Sequence, residues 1–333
     1  MSDRTRGRLL IGLPGEHGVP LSFEPTSIDP GRWARFSYHP PLTTFRHTSP
    51  MRTPLLIIAV VALAGAQTQP PPTTTPEQDA QVKDALPQLA QAADRFAKTA
   101  QQFYCHETLR QRAIRSSPVR GPLQYDQRQI VSYYAFTTLA GSPAIREIRQ
   151  ILTVNNEKNA KDPEGSRFLH DALAAHNDEI KTQLLKQFTE EGLKGVATDL
   201  GQLVLLFSRP GIKNYGFEFD REETSGYART LVVRYAQMNG REGVHISERG
   251  KQQKETLRGW LWLRLPDYLP VRITMITTRR NGKHEIRDEA EVDYTDSQNA
   301  LLPTEVIHRR YEDDILAAED DFQYSNWQVV PNR

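Results

Sequence analysis

The stretch GWLWLRLPDYLPVRIT at residues 259–274 decides how this chain is read. Its side chains alternate, so Trp260 and Trp262 share one face of a strand while Leu261, Leu263 and Leu265 share the other. Leu265-Pro266-Asp267 breaks the run, and a second apolar run begins at Leu269. Both faces of the first strand carry large apolar groups. Such a strand is either buried on both sides, as in a sandwich, or lines a pocket.

Outward from this hairpin the period-two pattern recurs. It covers roughly 213–221, 227–237, 256–265, 269–279, 284–294, 302–311 and 321–329, and nearer the N-terminus 103–115, 125–139 and 144–155. Pro118, Gly121-Pro122 and Gly141-Ser142-Pro143 separate the earlier three. Asn281-Gly282 is a two-residue hairpin signal, because both residues tolerate positive φ. About ten strands without alternating helices imply an antiparallel sheet, and strong twist makes a sheet of that width curl or split.

Helical stripes accompany the strands. Val82, Leu86, Leu89, Ala93, Phe96, Ala100 and Phe103 recur at steps of three and four, and Pro87 places the start of the regular helix near itself. Leu169, Leu173, Ile180, Leu184 and Phe188 form a second stripe; Leu193, Val196, Leu200, Leu203 and Phe207 form a third. Each has one apolar face, so these helices are expected to lie across the sheet as a cover. The expected fold class is α+β, a curled antiparallel sheet (an unclosed β-barrel of about ten strands) covered by helices. Gly240, Gly243 and the polar stretch Glu248 to Glu255 read as a mobile loop controlling access to the interior.

Residues 259–274, with the later Val292-Asp293-Tyr294 and Leu301-Leu302-Pro303-Thr304, resemble the LolA-like family of periplasmic lipoprotein carriers. There a strand turns at a Leu-Pro and returns as an apolar strand beginning with a basic residue. The order of elements is similar too: an N-terminal helix, a three-strand meander, helices, then the remaining strands. Leu263 and Arg264 depart from the family pattern, standing where an acidic residue is usual. The resemblance implies an apolar cavity between curled sheet and helices, able to hold acyl chains.

Composition excludes other classes. The 333 residues hold 42 Lys plus Arg against 41 Asp plus Glu, and a formal charge of +1 does not suit a nucleic-acid binder. One cysteine, Cys105, excludes a disulfide scaffold, and between Tyr104 and His106 it reads as a small buried hydrophobe. His245, His284 and His308 match no metal-ligand spacing, and no metal or cofactor is expected. Glu312-Asp313-Asp314 and Glu319-Asp320-Asp321 lack the alternating ligands of a calcium loop and read as solvated hairpin ends. There is no G-x-S-x-G elbow and no phosphate-binding glycine loop, so no catalytic residue is assigned.

The N-terminal region reads separately. MRTPLLIIAVVALAGA at residues 51–66 has a basic start, an apolar run of about ten residues and a small-residue close, the layout of a secretory signal peptide; a bilayer span needs about 20 residues. Leu63-Ala64-Gly65-Ala66 resembles a lipobox with Ala66 in place of the acylated cysteine, so no stable membrane anchor is expected after cleavage. Residues 1–50 then read as a disordered extension upstream of the true start; a cytoplasmic tail ahead of a membrane anchor is the competing reading. Residues 67–80 form a Pro/Thr-rich linker and 81–333 a single domain.

Together these point to a periplasmic or secreted, non-catalytic protein holding a lipid, a lipoprotein acyl chain or another apolar ligand. Trp260, Trp262, Tyr133, Leu200, Leu203, Phe207 and Met275 are the candidate cavity residues. The alternative is an envelope protein-interaction or sensing module of the same fold without a small ligand; a secreted hydrolase comes third. Mass measurement of the exported protein should find a chain beginning at Gln67, and a chain retaining residues 51–66 would overturn the signal-peptide reading.

Overall fold

The computed structural model describes residues 9–12, 74–115, 122–158, 167–174, 178–193, 196–225, 228–239, 241, 244–248 and 251–331. The signal peptide, the upstream extension apart from 9–12, and the linker as far as residue 73 lie outside the described residues. The first strand, β1 (Leu9–Gly12), precedes helix α1 (Pro76–Thr99). Thr75 caps α1 through a reciprocal capping box with Gln78, and Pro76 occupies its first turn. The helix therefore starts well before Pro87, which it accommodates internally; the N-cap, not the proline, sets its start.

Ten strands follow the expected pattern: β2 (Phe103–Ile114), β3 (Tyr125–Thr138), β4 (Ile145–Val154), β7 (Tyr215–Ser225), β8 (Ala228–Gln237), β11 (Leu257–Arg264), β12 (Leu269–Asn281), β13 (His284–Ser297), β14 (Ala300–Glu312) and β15 (Ile315–Val329). With the two-residue β5 (Glu157–Lys158) they form one eleven-stranded sheet in the order β5-β4-β3-β2-β15-β14-β13-β12-β11-β8-β7. Every pairing in it is antiparallel and its two ends do not meet, so the barrel is unclosed. The C-terminal strand β15 sits mid-sheet, joining β2 to β14.

Turn chemistry fixes the registers. Asn281 pairs with His284, so the β12–β13 turn residues are Gly282-Lys283, one position later than expected, with Gly282 at φ +63. Asp313 and Asp314, both at positive φ, make the β14–β15 turn, placing one acidic cluster at a hairpin end. The other cluster departs from expectation: Asp320 is buried within β15.

Two segments differ from the sequence reading in kind. The polar stretch expected as a loop contains β9 (Val244–Glu248) and β10 (Lys251–Glu255), which pair antiparallel in a second sheet ordered β10-β9-β1-β6, where β6 is Ala197–Thr198. Backbone pairing alone makes a hairpin, so apolar alternation gave no warning of it. Helices α2 (Arg167–Ala174) and α3 (Glu179–Glu191) match the second stripe, but the third is not an α-helix. Val196–Phe207 is an irregular strap ending in a short 3-10 turn at Leu203–Phe207. It is buried along its whole length, so its apolar spacing reflects core on all sides rather than one helical face.

One face of the sheet, here called inner, is covered by α1 and the strap. Val82, Leu89, Ala93 and Phe96 of α1 pack there with Leu203, Val204 and Phe207 against Leu231, Val233, Leu261, Ile273 and Val306. Helices α2 and α3 cover part of the other face, where Leu169, Ala172, Leu184 and Leu185 meet Tyr104, Ala135 and Ile148. The rest of that outer face carries a ladder of ion pairs, Arg272–Asp293, Arg272–Glu291, Arg309–Glu319 and Arg112–Glu319. Sheets of this kind commonly keep one face wet.

Gly259 sits where β11 presses closest to β12. A Cβ there would lie 2.1 Å from the Thr274 carbonyl oxygen, the same atom that accepts from the buried Tyr235 hydroxyl. Gly259→Ala should therefore lower stability by about 1–3 kcal/mol in urea unfolding, as overpacking does; an unchanged midpoint would contradict this packing.

Candidate functional site

The inner face divides into an apolar and a polar half. On the apolar half, β8 and β11–β13 present Leu231, Val233, Leu261, Leu263, Ile273, Met275 and Val292 inward. Phe207 of the strap packs edge-on against Tyr235, with ring centroids 4.9 Å apart, and also meets Tyr215 and Phe217. Of the seven candidate cavity residues, Leu200, Leu203, Phe207 and Met275 belong to the same inner core.

The other three lie elsewhere. Because Leu257, Leu261 and Leu263 point inward, Trp260 and Trp262 point outward. Trp262 donates from Nε1 to Glu223 (2.6 Å), with the guanidiniums of Arg221 and Arg272 each 5.9 Å from its ring centre. Tyr133 is outward too, beneath α2 and α3, tilted against His106 and edge-on to Tyr104. Strand alternation gave the pairing of the tryptophans but not which face turns in. The leucines take the interior, and the polar edge of Trp262 finds a charged partner outside.

The polar half was missed by sequence reasoning. Arg149 on β4 is fully buried, its Nε 2.8 and 2.9 Å from the two carboxylate oxygens of Glu107 on β2 and its Nη2 2.8 Å from Glu147. Phe188, Tyr134 and Phe322 surround its guanidinium at 4.4, 4.8 and 5.3 Å. Glu147 also accepts from the backbone N–H groups of Asp199 (3.0 Å) and Gly201 (2.7 Å) on the strap. Asp199 returns the bond, accepting from the Glu147 N–H and from Arg146 Nη1 at 3.0 Å. Gly201 is required: a Cβ would come within 2.9 Å of both Glu147 Oε1 and the Tyr134 hydroxyl.

A second buried network runs along β12–β15. His308 lies between Asp288 (3.1 Å from Nε2) and Asp320 (3.2 Å from Nδ1). Both partners are carboxylates, so both ring nitrogens donate and the imidazole is charged. Burial opposes that charge, but the two hydrogen bonds outweigh it and raise the His308 pKa. Arg310 and Arg279 also bind Asp288, and Arg279 lies 3.4 Å from Glu255. Asp320 further accepts from Gln111 and from the strap N–H of Ala197 (3.2 Å).

The two networks differ in charge. Around His308, the carboxylates Asp288, Asp320 and Glu255 face Arg279, Arg310 and the imidazolium, which balances. Around Arg149, the carboxylates Glu107, Glu147 and Asp199 face only Arg146 and Arg149. The excess shows in the titration. Burial and then Glu147 push Asp199 up to about 6 against the pull of Arg146, and burial raises Glu107 despite Arg149. Among the described residues no group of His, Cys, Asp or Glu is placed to hold a metal ion. Cys105 is buried in the inner core, and burial, with Glu107 beside it, pushes its thiol pKa up.

No protein-family model matches the sequence, and no curated protein matches it. Among solved structures the chain is similar to a DUF1329 family protein from Desulfovibrio piger, at 11% identity and a TM-score of 0.35 over 75% of this chain and 93% of that one. It is also similar to a LolA superfamily protein from Nitrosomonas europaea, at 11% identity and a TM-score of 0.27 over 73% and 93% of the two chains. A domain described as an outer membrane lipoprotein-sorting protein, from Vibrio parahaemolyticus, gives 9% identity and 0.34 over 74% and 92%. No residue or ligand is carried across at these values. The open antiparallel sheet with covering helices is itself the architecture that the resemblance around residues 259–272 implied.

Removing Arg149 alone strands Glu107 and Glu147 in the core. Arg149→Met should cost about 3–5 kcal/mol, and pairing it with Glu107→Leu should restore part of that loss. Denaturant unfolding of both variants checks this; a double variant no more stable than the single one would show that the pair is not the unit.

Proposed function

We propose that this is a periplasmic or secreted, non-catalytic binding protein that holds a lipid, a lipoprotein acyl chain or another apolar ligand between the inner face of the sheet and α1. The observation that carries this reading is the mismatch between the two surfaces. The sheet presents a broad lining of Leu, Val, Ile and Met, whereas α1 meets it largely through Ala85, Ala92 and Ala93, with Val82, Leu89 and Phe96 as its large anchors. A helix faced with alanine buries little apolar area per turn, so an acyl chain that displaces it gains more burial than is lost. The buried carboxylates are tied into ion pairs and backbone bonds, which supports a binding rather than a catalytic role. No described helix is long and apolar enough to cross a membrane.

A second reading rests on a different observation. The strap and α1 already occupy the inner face, with Leu203, Val204 and Phe207 fully covered. On this reading the fold is an envelope protein-interaction or sensing module without a small ligand. Native mass spectrometry of protein purified from the periplasm, together with titration of a fluorescent fatty acid, separates the two. The carrier reading expects a co-purifying lipid or saturable, displaceable binding. A lipid-free protein that binds no fatty acid would overturn it in favour of the module.

A further inference from the structure

The strap is fastened to the sheet by ionisable groups at its polar end. Glu147 accepts from the N–H groups of Asp199 and Gly201, and Asp320 accepts from that of Ala197. Just upstream, the N–H of Leu193 donates to Gln111, which itself donates to Asp320. Between Val196 and Gly201 the side chains are small apart from Leu200; Val196, Ala197 and Leu200 join the core and Ala197–Thr198 pairs with β1, but the contacts from this end to the large sheet through ionisable side chains are the bonds to Glu147 and Asp320. The other end, Leu203–Phe207, is anchored by apolar packing against α1 and the sheet.

Docking this end brings Asp199 beside Glu147 in a dry site. Charged groups face the pair from every packed element. Arg146 and Arg149 come from β4, Glu107 from β2, the hydroxyls of Tyr134 and Tyr324 from β3 and β15, and that of Tyr294, which accepts from the Val204 N–H, from β13. On α1, Asp94 and Arg95 are engaged elsewhere, with Arg209 and Asp296. Three carboxylates thus meet two guanidiniums. The His308 network meets the same imbalance with an imidazolium; the Arg149 network has no histidine.

We propose that docking of Val196–Gly201 takes up a proton, making this end of the strap a latch that tightens in mild acid and loosens as the pH rises towards neutrality. The direction follows from linkage. Docked, Asp199 titrates near 6; undocked and hydrated, it returns to its ordinary 3.8. The docked form therefore binds the proton more tightly, and its advantage is complete below the ordinary value and lost as the pH climbs through the raised one. His308 acts in the same sense at higher pH: its raised pKa means that the contact with Asp320, which holds Ala197, weakens when the imidazole loses its proton. The latch is a property of the strap and needs no bound ligand.

Hydrogen–deuterium exchange of the full chain from pH 4 to 7, with each rate divided by the intrinsic amide rate at that pH, tests this. The opening equilibrium of amides 197–203 should rise by about thirtyfold between pH 4 and 6 and by only about twofold more by pH 7. Asp199→Asn keeps an acceptor for the Glu147 N–H without the charge; its opening should stay at the low value of the acid wild type and be flat from pH 4 to 6, below the range in which His308 loses its proton. A flat wild-type profile, or opening that increases on acidification, would overturn the proposal. So would a slope that survives in D199N over that range, since the proton would then sit on another group. If D199N does not fold, the wild-type profile alone decides.

Discussion

The buried guanidinium of Arg149 is the constraint around which the polar half of the core is arranged. Moving such a group out of water is costly, and it is tolerated only when carboxylates of good geometry oppose it. Glu107 and Glu147 supply that pairing from two strands, β2 and β4, that do not touch each other in the sheet. Tyr134 on β3 lies across the gap, its ring against the cation. The ion pair thereby fixes the mutual register of the N-terminal strands from the inside, in addition to their ladder hydrogen bonds. Glu147 then has acceptor capacity left for the strap, so the same carboxylate that neutralises the arginine also positions the irregular segment.

From this arrangement the rest of the interior follows. The strap passes from the polar half, where its backbone is held by side chains, to the apolar half, where its side chains are held by packing. Such a segment needs side-chain partners, because apart from the two-residue β6 its backbone groups have no ladder to join. Helix α1 has no comparable need, since it satisfies its own backbone and rests on the sheet through small residues. The two covers on the inner face are therefore secured differently: the strap by side-chain bonds to its backbone as well as by packing, α1 chiefly by buried area with ion pairs at its rim.

The sheet was largely legible in the sequence because its strands obey a two-residue period and are punctuated by Gly, Pro and Asn, signals that are local. What was not legible depends on distant partners. The third apolar stripe, Leu193 to Phe207, has helical spacing yet is not helical, because burial on all sides erases the meaning of a periodic face. The alternation at Trp260 and Trp262 was correct, but alternation is symmetric and does not say which face is inside. Glu107, Glu147, Arg149 and Asp320 stand in phase with buried apolar residues of their own strands, and that phase was the available signal. It is weak on its own, since a charge in phase with a core face becomes credible only when a partner of opposite sign is known to oppose it.

The place of β15 in the sheet has a consequence for how the chain is assembled. It pairs on one side with β14, its neighbour in sequence, and on the other with β2, more than two hundred residues earlier. Until β15 is synthesised, the N-terminal hairpins and the strands from β7 to β14 are two half-sheets with bare edges facing each other. The Gln111–Asp320 bond and the packing of Phe322 against Arg149 join them in the same step. Contacts so distant in sequence are slow to form, because the loop must close before any of them is gained. A ribosome releasing this chain from its N-terminus would thus deliver a polypeptide whose sheet stays in two halves until β15 has emerged.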